Sequence, residues 1–209
     1  AAMEATLSAA EIGLGSDDSK TSGRIGKARD MIRRMQRTTK HLKSFARKDT
    51  VELNRIDLRA PVHSALDLVQ PRAKALGVAP VLHMPNDPVC VLAGAVRMEQ
   101  VLANLLLNAL DAVETATQPN IGVRLFVEGT TAVITVRDNG SGIGEEDLPR
   151  VAEPFFSTKL AGEGLGLGLG ICKAILTDFS GTLDIRSTPH TGTQVRLSLP
   201  LAPSGDETT

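Results

Sequence analysis

The chain has 209 residues, of which 42% are hydrophobic, and this size and composition suit one or two domains with a real core. A formal net charge of −1 gives no general attraction to nucleic acid. Five Phe, no Trp and no Tyr leave few rings on which bases or sugars could stack. No apolar run reaches the roughly 18 residues that a membrane helix needs. We therefore expect no nucleic-acid binding and no membrane contact by this chain.

The first part of the chain carries a helical pattern. Between Ile25 and Ala46 apolar or small residues recur at alternating spacings of three and four, which is a heptad seam. This pattern predicts a helical hairpin over residues 1–48. Because one hairpin cannot bury its apolar seam alone, we also predict a homodimer through residues 1–48. The composition changes near Asp49. We predict three regions, namely residues 1–50, a second domain at 51–203 and a flexible tail at 204–209.

Residues 51–203 alternate between strand and helix patterns. Helices are predicted from Pro61 to about Ala75, with Pro71 expected to kink or shorten the first one, over 96–115, and over 167–179, with a short helix near 145–151. Strands are predicted at 52–58, 80–84 and 89–92, and as hairpins at 121–128 with 132–137 and 181–187 with 194–200. This order predicts an α+β fold, a two-layer sandwich with a mostly antiparallel sheet.

Asn104 and Asn108 lie one helical turn apart in the sequence VRMEQVLANLLLNALDAV. Asn is a mediocre helix former, so two on one side of a good helix need a reason. They could be solvated or capping amides. Alternatively, their carbonyl oxygens could serve a hard metal ion such as Mg²⁺, which accepts neutral oxygen ligands.

Asp138 closes a predicted strand and is followed by Gly140 and Gly142. The Asn-Gly pair could simply form a hairpin turn. However, residues 142–166 do not continue as a paired strand. A carboxylate only accepts hydrogen bonds, so Asp138 could take the amino group of adenine and reject guanine, which presents an oxygen at that place.

The segment EPFFSTK, residues 153–159, lies in a loop rich in glycine and proline. Phe155 and Phe156 could anchor this loop by burial. Thr158 and Lys159 could meet a phosphate, Lys159 as a point charge, although a solvated lysine is the simpler interpretation.

The segment GEGLGLGLGICK, residues 162–173, alternates glycine with leucine and then runs into a helix pattern. Free N–H groups at a helix start favour an anion, and glycines let the main chain close on phosphate oxygens. The spacing is neither that of a P-loop nor that of a dinucleotide loop.

Taken in order, these segments resemble the N, G1, F and G2 boxes of the ATP-binding domain of sensor histidine kinases, in the superfamily shared with gyrase, Hsp90 and MutL. Residues 190–200, HTGTQVRLSLP, are similar to the G3 segment. Residues 22–48 and the phrase EEDLPRVAEPFFSTK resemble the C4-dicarboxylate and nitrogen-sensing class of these kinases.

The resemblance implies ATP and Mg²⁺ as ligands. Asn108 would hold Mg²⁺, Asp138 would bind the adenine amino group, and Lys159 with the main chain of 164–169 would meet the phosphates. The full set of implied nucleotide contacts is Asn104, Asn108, Asp111, Asp138, Gly140, Gly142, Ile143, Phe155, Thr158, Lys159, Gly164, Leu165, Gly166, Leu167, Gly168, Leu169 and Thr193.

By the same resemblance the chain belongs to a protein-histidine kinase that passes the γ-phosphoryl group of ATP to a histidine and then to a response regulator receiver domain. The parent would be an inner-membrane sensor, with this part in the cytoplasm. The family's acceptor motif is His-Glu-x-Asn-Gln-Pro, and the chain starts at Ala1, which resembles the segment just after it. His41 has no acid beside it, so we expect no acceptor and no autophosphorylation here.

Two other functions stay open from the sequence. One is an ATPase of the gyrase or MutL kind, which carries a glutamate one helical turn before the metal-binding asparagine. That position is Asn104 here, and an amide cannot activate water. The other is a nucleotide-binding scaffold without kinase activity.

Overall fold

The computed structural model describes residues 53–153, 155–156 and 166–203. All of these belong to the second of the two units into which the chain divides, residues 49–209. The predicted helical hairpin and dimer of residues 1–48, including His41, and the predicted tail 204–209 lie outside the described residues.

Three helices and seven strands make up the described part of the chain. The helices are α1 (Arg59–Ala75), α2 (Ala95–Ala112) and α3 (Gly168–Asp178). The strands are β1 (Asn54–Asp57), β2 (Val81–His83), β3 (Cys90–Ala93), β4 (Ile121–Glu128), β5 (Thr131–Asp138), β6 (Thr182–Thr188) and β7 (Gly192–Pro200).

Five strands form the main sheet in the order β2-β4-β5-β7-β6. β2 pairs with β4 in parallel, and the other three pairings are antiparallel. β1 and β3 form a separate antiparallel pair. The predicted α+β sandwich with three main helices and a mixed, mostly antiparallel sheet is confirmed.

The core lies between the helices and one face of the sheet. Along β5 the alternate residues Ala132, Ile134 and Val136 join the buried cluster, as the two-residue period of a strand requires. α2 is the central helix of the layer and buries four leucines: Leu102, Leu105, Leu106 and Leu110. Burial of each leucine stabilises the fold by about 1.5–3 kcal/mol, so α2 is held firmly against the sheet.

The first helix ends at Ala75 as predicted, and of the two effects expected of Pro71, a kink or a shorter helix, the shortening does not occur because α1 runs through Pro71. Val69 and Ala73, on either side of the proline, are both buried in the core. Arg72 also forms an ion pair with Asp111 of α2. Packing of the last turn against α2 therefore outweighs the main-chain hydrogen bond that proline cannot make.

The short helix predicted near 145–151 is wrong, because residues 145–152 form consecutive turns. Leu148 N–H donates to the Gly144 carbonyl at 3.0 Å, which closes one helical turn. Pro149 follows and has no N–H with which to continue the helical hydrogen bonds. The next bond therefore spans three residues instead of four, from Arg150 N–H to the Asp147 carbonyl at 2.9 Å.

Candidate functional site

The two asparagines of α2 face α3 at two successive levels. Asn104 Nδ2 donates to Cys172 Sγ at 3.9 Å, and that thiol lies 3.8 Å from the Val101 carbonyl. One turn further along, Asn108 Nδ2 lies 3.9 Å from the point that a Cβ on Gly168 would occupy. Asn104 is 9% exposed, so its interpretation as a solvated amide is wrong.

Cys172 is the buried partner of Asn104. Burial raises the pKa of its thiol to about 12, so it stays protonated and donates weakly to Val101. Both cysteines are free, and Cys172 is buried whereas Cys90 is half-buried.

The start of α3 lies beside the half-buried amide of Asn108. No described side chain caps this helix start at Leu167, and among the described residues none hydrogen bonds the Asn108 amide. Leu167 is buried and Leu169 is half-buried against the core, so these two leucines hold the start of α3 to the core. The start of α3 and the Asn108 amide are therefore neighbours, and unbonded N–H groups at a helix start favour an anion.

Asp138 ends β5 and is only 7% exposed. Its Oδ1 accepts hydrogen bonds from Gly140 N–H at 2.9 Å and Thr193 N–H at 3.2 Å. Within the described ranges no group donates to Oδ2, and this atom keeps access to solvent. The carboxylate is therefore fixed through one oxygen and offers the other as an acceptor.

The buried position also changes the acidity of Asp138. Desolvation raises the pKa of this carboxyl, and the hydrogen bonds from Gly140 and Thr193 partly oppose that rise because they favour the charged form. A buried carboxylate with a raised pKa is a candidate functional residue, because burial of such a group destabilises the fold and therefore needs a reason other than stability.

The glycines after Asp138 are required by packing against the protein's own main chain. A Cβ on Gly140 would lie 2.3 Å from the Ala112 carbonyl oxygen at the end of α2. A Cβ on Gly142, where φ is +67°, would lie 2.1 Å from the Thr188 oxygen. The fold itself therefore requires these two glycines, and their predicted contact with the nucleotide stays a prediction.

Ser187 of β6 joins the loop after β5 to the start of β7. Its Oγ accepts from Ile143 N–H at 2.8 Å, donates to the Gly192 carbonyl at 3.1 Å and lies 2.8 Å from Thr193 Oγ1. The N–H of Ile143 is thus used within the fold, and the predicted contact of Ile143 with the nucleotide stays a prediction. Ser187 was missed because one serine in an alternating strand carries no local signal.

The two phenylalanines do not both anchor their loop. Phe155 is 68% exposed and adopts φ of +68°, so its predicted anchoring by burial is wrong. Phe156 is half-buried, with the Arg150 guanidinium 4.5 Å from its ring centre. Phe155 N–H donates to the Gly166 carbonyl at 3.0 Å, and a Cβ on Gly166 would lie 2.1 Å from the Phe156 oxygen. The chain before residue 157 therefore touches the chain after residue 165.

Asp111 faces α1 instead of α3. Its carboxylate forms an ion pair with Arg72 and so joins α2 to α1, and the predicted contact of Asp111 with the nucleotide stays a prediction. Four other predicted contacts, namely Thr158, Lys159, Gly164 and Leu165, lie outside the described residues.

The described residues contain neither a clustered metal site nor a membrane-spanning helix. No group of three or more His, Cys, Asp or Glu side chains there could hold a metal ion. None of the helices in the described part is long and apolar enough to cross a membrane.

The arrangement of these segments agrees with comparisons to known proteins. The family model described as "Histidine kinase-, DNA gyrase B-, and HSP90-like ATPase" matches residues 93–203, which is more than half of the chain and contains Asn108, Asp138 and Gly168. The chain belongs to this family.

Its similar proteins are sensor kinases, as the sequence motifs predict. The chain is 36% identical over 181 residues to the C4-dicarboxylate transport sensor protein DctB of Pseudomonas aeruginosa, covering 85% of the chain and 29% of that protein. It is 35% identical over 170 residues to DctB of Rhizobium meliloti, covering 81% and 27%. The chain thus spans less than a third of these relatives.

A solved structure gives the same assignment for the fold. The catalytic domain of histidine kinase ThkA, in a nucleotide-free form, matches with a TM-score of 0.64 and 26% identity, covering 73% of this chain and 97% of that one. The predicted histidine-kinase type of sandwich is confirmed.

Proposed function

We propose that this chain is the ATP-binding domain of a two-component sensor histidine kinase and binds ATP with Mg²⁺. The observation that carries the proposal is the juxtaposition of α2 with α3 and with the end of β5: Asn108 borders Gly168, and one turn later Ala112 contacts Gly140, two residues after Asp138. An amide oxygen, a helix start and a buried carboxylate are thereby gathered along the C-terminal half of α2.

Asp138 supplies the base contact. With Oδ1 held by two main-chain donors, Oδ2 accepts one more hydrogen bond, and an ionised carboxylate has no hydrogen to give. The amino group of adenine fits this acceptor. The carbonyl oxygen of guanine at the same place would face it with like partial charge.

The phosphate end is built from Asn108 and the start of α3. The Asn108 amide oxygen suits Mg²⁺, a hard cation that keeps several waters and few protein ligands. When bound, Mg²⁺ would neutralise charge on the phosphate oxygens. The N–H groups at the start of α3 can donate hydrogen bonds to an anion. Thr158, Lys159 and the main chain of 164–166 stay predictions for the same end.

Asn104 favours phosphoryl transfer to a protein over hydrolysis of ATP. A hydrolase of this superfamily would need a carboxylate base at that position, whereas Asn104 is a buried amide bonded to Cys172. Glu99 lies nine residues before Asn108 on the same helix, about 13 Å along the axis, too far to replace it.

The remaining parts of the function extend the resemblance to sensor kinases. The phosphoryl acceptor is a histidine in a dimerisation helix, the next acceptor is a response regulator receiver domain, and residues 1–48 form the dimer. The parent is an inner-membrane sensor with this portion in the cytoplasm.

Transfer of labelled γ-phosphoryl to a supplied acceptor tests the proposal. The acceptor is a separately produced dimerisation domain with the His-Glu-x-Asn-Gln-Pro motif, and its His→Gln form is the control. We expect acid-labile label on the intact acceptor, none on the control and none on His41. Release of inorganic phosphate with an unlabelled acceptor would support the ATPase instead. Transfer that persists after Asn108→Ala would contradict the role of Asn108.

A further inference from the structure

The hydroxyl of Ser187 sits at a junction of three segments near Asp138. Ser187 pairs with Thr193 across β6 and β7, so the two hydroxyl side chains stand opposite each other. The same Thr193 holds Oδ1 of Asp138 through its N–H at 3.2 Å. Thr193 therefore links Ser187 to Asp138, the residue that selects the base in the proposed function.

Counting hydrogens fixes the direction of each bond. A serine hydroxyl has one hydrogen to donate and two lone pairs to accept with. The Gly192 carbonyl, at 3.1 Å, can only accept, and Ile143 N–H, at 2.8 Å, can only donate. All three contacts are satisfied together only when Ser187 donates to Gly192 and the Thr193 hydroxyl donates to Ser187 across 2.8 Å.

We propose that Ser187 is a specificity-determining positioning residue: it takes the hydroxyl hydrogen of Thr193 and so leaves Thr193 Oγ1 able only to accept hydrogen bonds beside the Asp138 carboxylate. This inference rests on the proposed function. Neither residue then offers a side-chain hydrogen to a base. A ligand amino group, or a water that it orders, can satisfy both.

Guanine meets this pair of acceptors badly. Its oxygen replaces the adenine amino group and needs a donor, which the Thr193 hydroxyl would supply if it could rotate. Replacing Ser187 by alanine frees that rotation. We therefore expect Ser187→Ala to lower the ratio of GTP to ATP dissociation constants by about tenfold, the size of effect that one hydrogen bond allows.

Calorimetric titration of the chain with ATP and with GTP, both with Mg²⁺, measures this ratio. Ser187→Thr keeps the hydroxyl and should restore the ratio of the unmodified chain. Thr182→Ala removes a hydroxyl from an exposed position of the same strand and should leave the ratio unchanged. Ser187→Cys replaces the hydroxyl by a thiol of similar volume that forms only weak hydrogen bonds, so it should lower the ratio as alanine does. This variant replaces Ser187→Ala in the test if the alanine variant does not fold.

A double-mutant cycle separates this role from simple support of the fold. Because Ser187 acts through the Thr193 hydroxyl, Ser187→Ala should change the ratio little in a Thr193→Val background. Equal weakening of ATP and GTP binding, or a full effect in that background, would overturn the inference and leave the proposed function standing. If the unmodified chain binds neither nucleotide, the proposed function fails and the inference with it.

Discussion

The main-chain N–H of Thr193 donates a 3.2 Å hydrogen bond to Oδ1 of Asp138 and ties the start of β7 to the last residue of β5. The ladder between these strands ends at the pair Arg137 and Gln194, so this bond extends the pairing by one step through a side chain. Gly192 completes the junction, since a Cβ there would lie 2.1 Å from the Asp138 carbonyl oxygen. The carboxylate is therefore oriented by the sheet itself.

Gly142→Ala should destabilise the fold strongly. The residue adopts φ of +67°, and its Cβ would lie 2.1 Å from the Thr188 carbonyl oxygen. Strain and displacement of main chain should lower the free energy of unfolding by about 2 kcal/mol or more, measured by urea denaturation. Gly144→Ala is the matched control, because its nearest atom would be 3.9 Å away. Equal stability of the two variants would contradict this account of Gly142.

Gly168→Ala should separate binding from stability. Among the described residues the added Cβ meets only Asn108 Nδ2, at 3.9 Å, so the fold should tolerate it, and alanine is a better helix former by up to about 1 kcal/mol. The methyl group occupies space that we assign to the phosphates. ATP affinity measured by calorimetry should fall about tenfold, equivalent to about 1.4 kcal/mol, without loss of stability. Lys173→Ala, exposed on the same helix, is the control. Unchanged affinity would show that this space is not used.

Asp111→Asn should affect stability and not binding. The ion pair with Arg72 is partly exposed, with the two side chains 25% and 35% accessible, so its loss should lower the free energy of unfolding by about 0.5–1 kcal/mol. Arg72→Met should have a similar effect, and the double variant should lose less than the sum. Urea denaturation and ATP titration of the same samples give both quantities. A drop in ATP affinity with unchanged stability would contradict this expectation and support the predicted contact of Asp111 with the nucleotide.

Asp138→Asn should stabilise the ligand-free protein at neutral pH. Burial raises the pKa of Asp138 above its unfolded value, so the folded state holds the proton more tightly. Stability from this group is therefore full below the unfolded pKa and declines as pH rises through the folded pKa. Asparagine cannot ionise and escapes that decline. Between pH 3 and pH 7 the free energy of unfolding of Asp138→Asn should rise relative to that of the unmodified chain. A variant that is less stable than the unmodified chain at pH 7 would contradict this.

The periodic patterns predicted most of the fold because local spacing encodes it. The leucines of α2 recur at helical intervals, and the hairpin of β4 and β5 alternates cleanly, so both were found within a few residues. Pro71 does not shorten α1 because burial of Val69 and Ala73 in the core is a tertiary effect that local spacing does not report. Residues 145–151 were misjudged because the helix ends after one turn, where Pro149 interrupts it.

The candidate site was predictable where chemistry shows in residue type. Asn108 and Asp138 are polar groups placed against the local pattern; Asn108 lies beside the start of α3, and Asp138 lies at the junction of β5 with β7. The roles of Ser187 and Asp111 follow from which strands and helices become neighbours, and no spacing in the sequence reports that. Phe155 was predicted to be buried from its apolar ring, whereas its main chain, and not the ring, meets Gly166.

Nucleotide selection by Asp138 tests the central claim most directly. In Asp138→Asn, Gly140 and Thr193 N–H still require an acceptor, so the amide nitrogen takes the place of Oδ2 and opposes the adenine amino group with a second donor. Calorimetry with Mg²⁺ should show ATP bound far more tightly than GTP by the unmodified chain, and ATP affinity about 10- to 100-fold lower in Asp138→Asn. Equal affinity of the unmodified chain for ATP and GTP, or no effect of the substitution, would contradict the account.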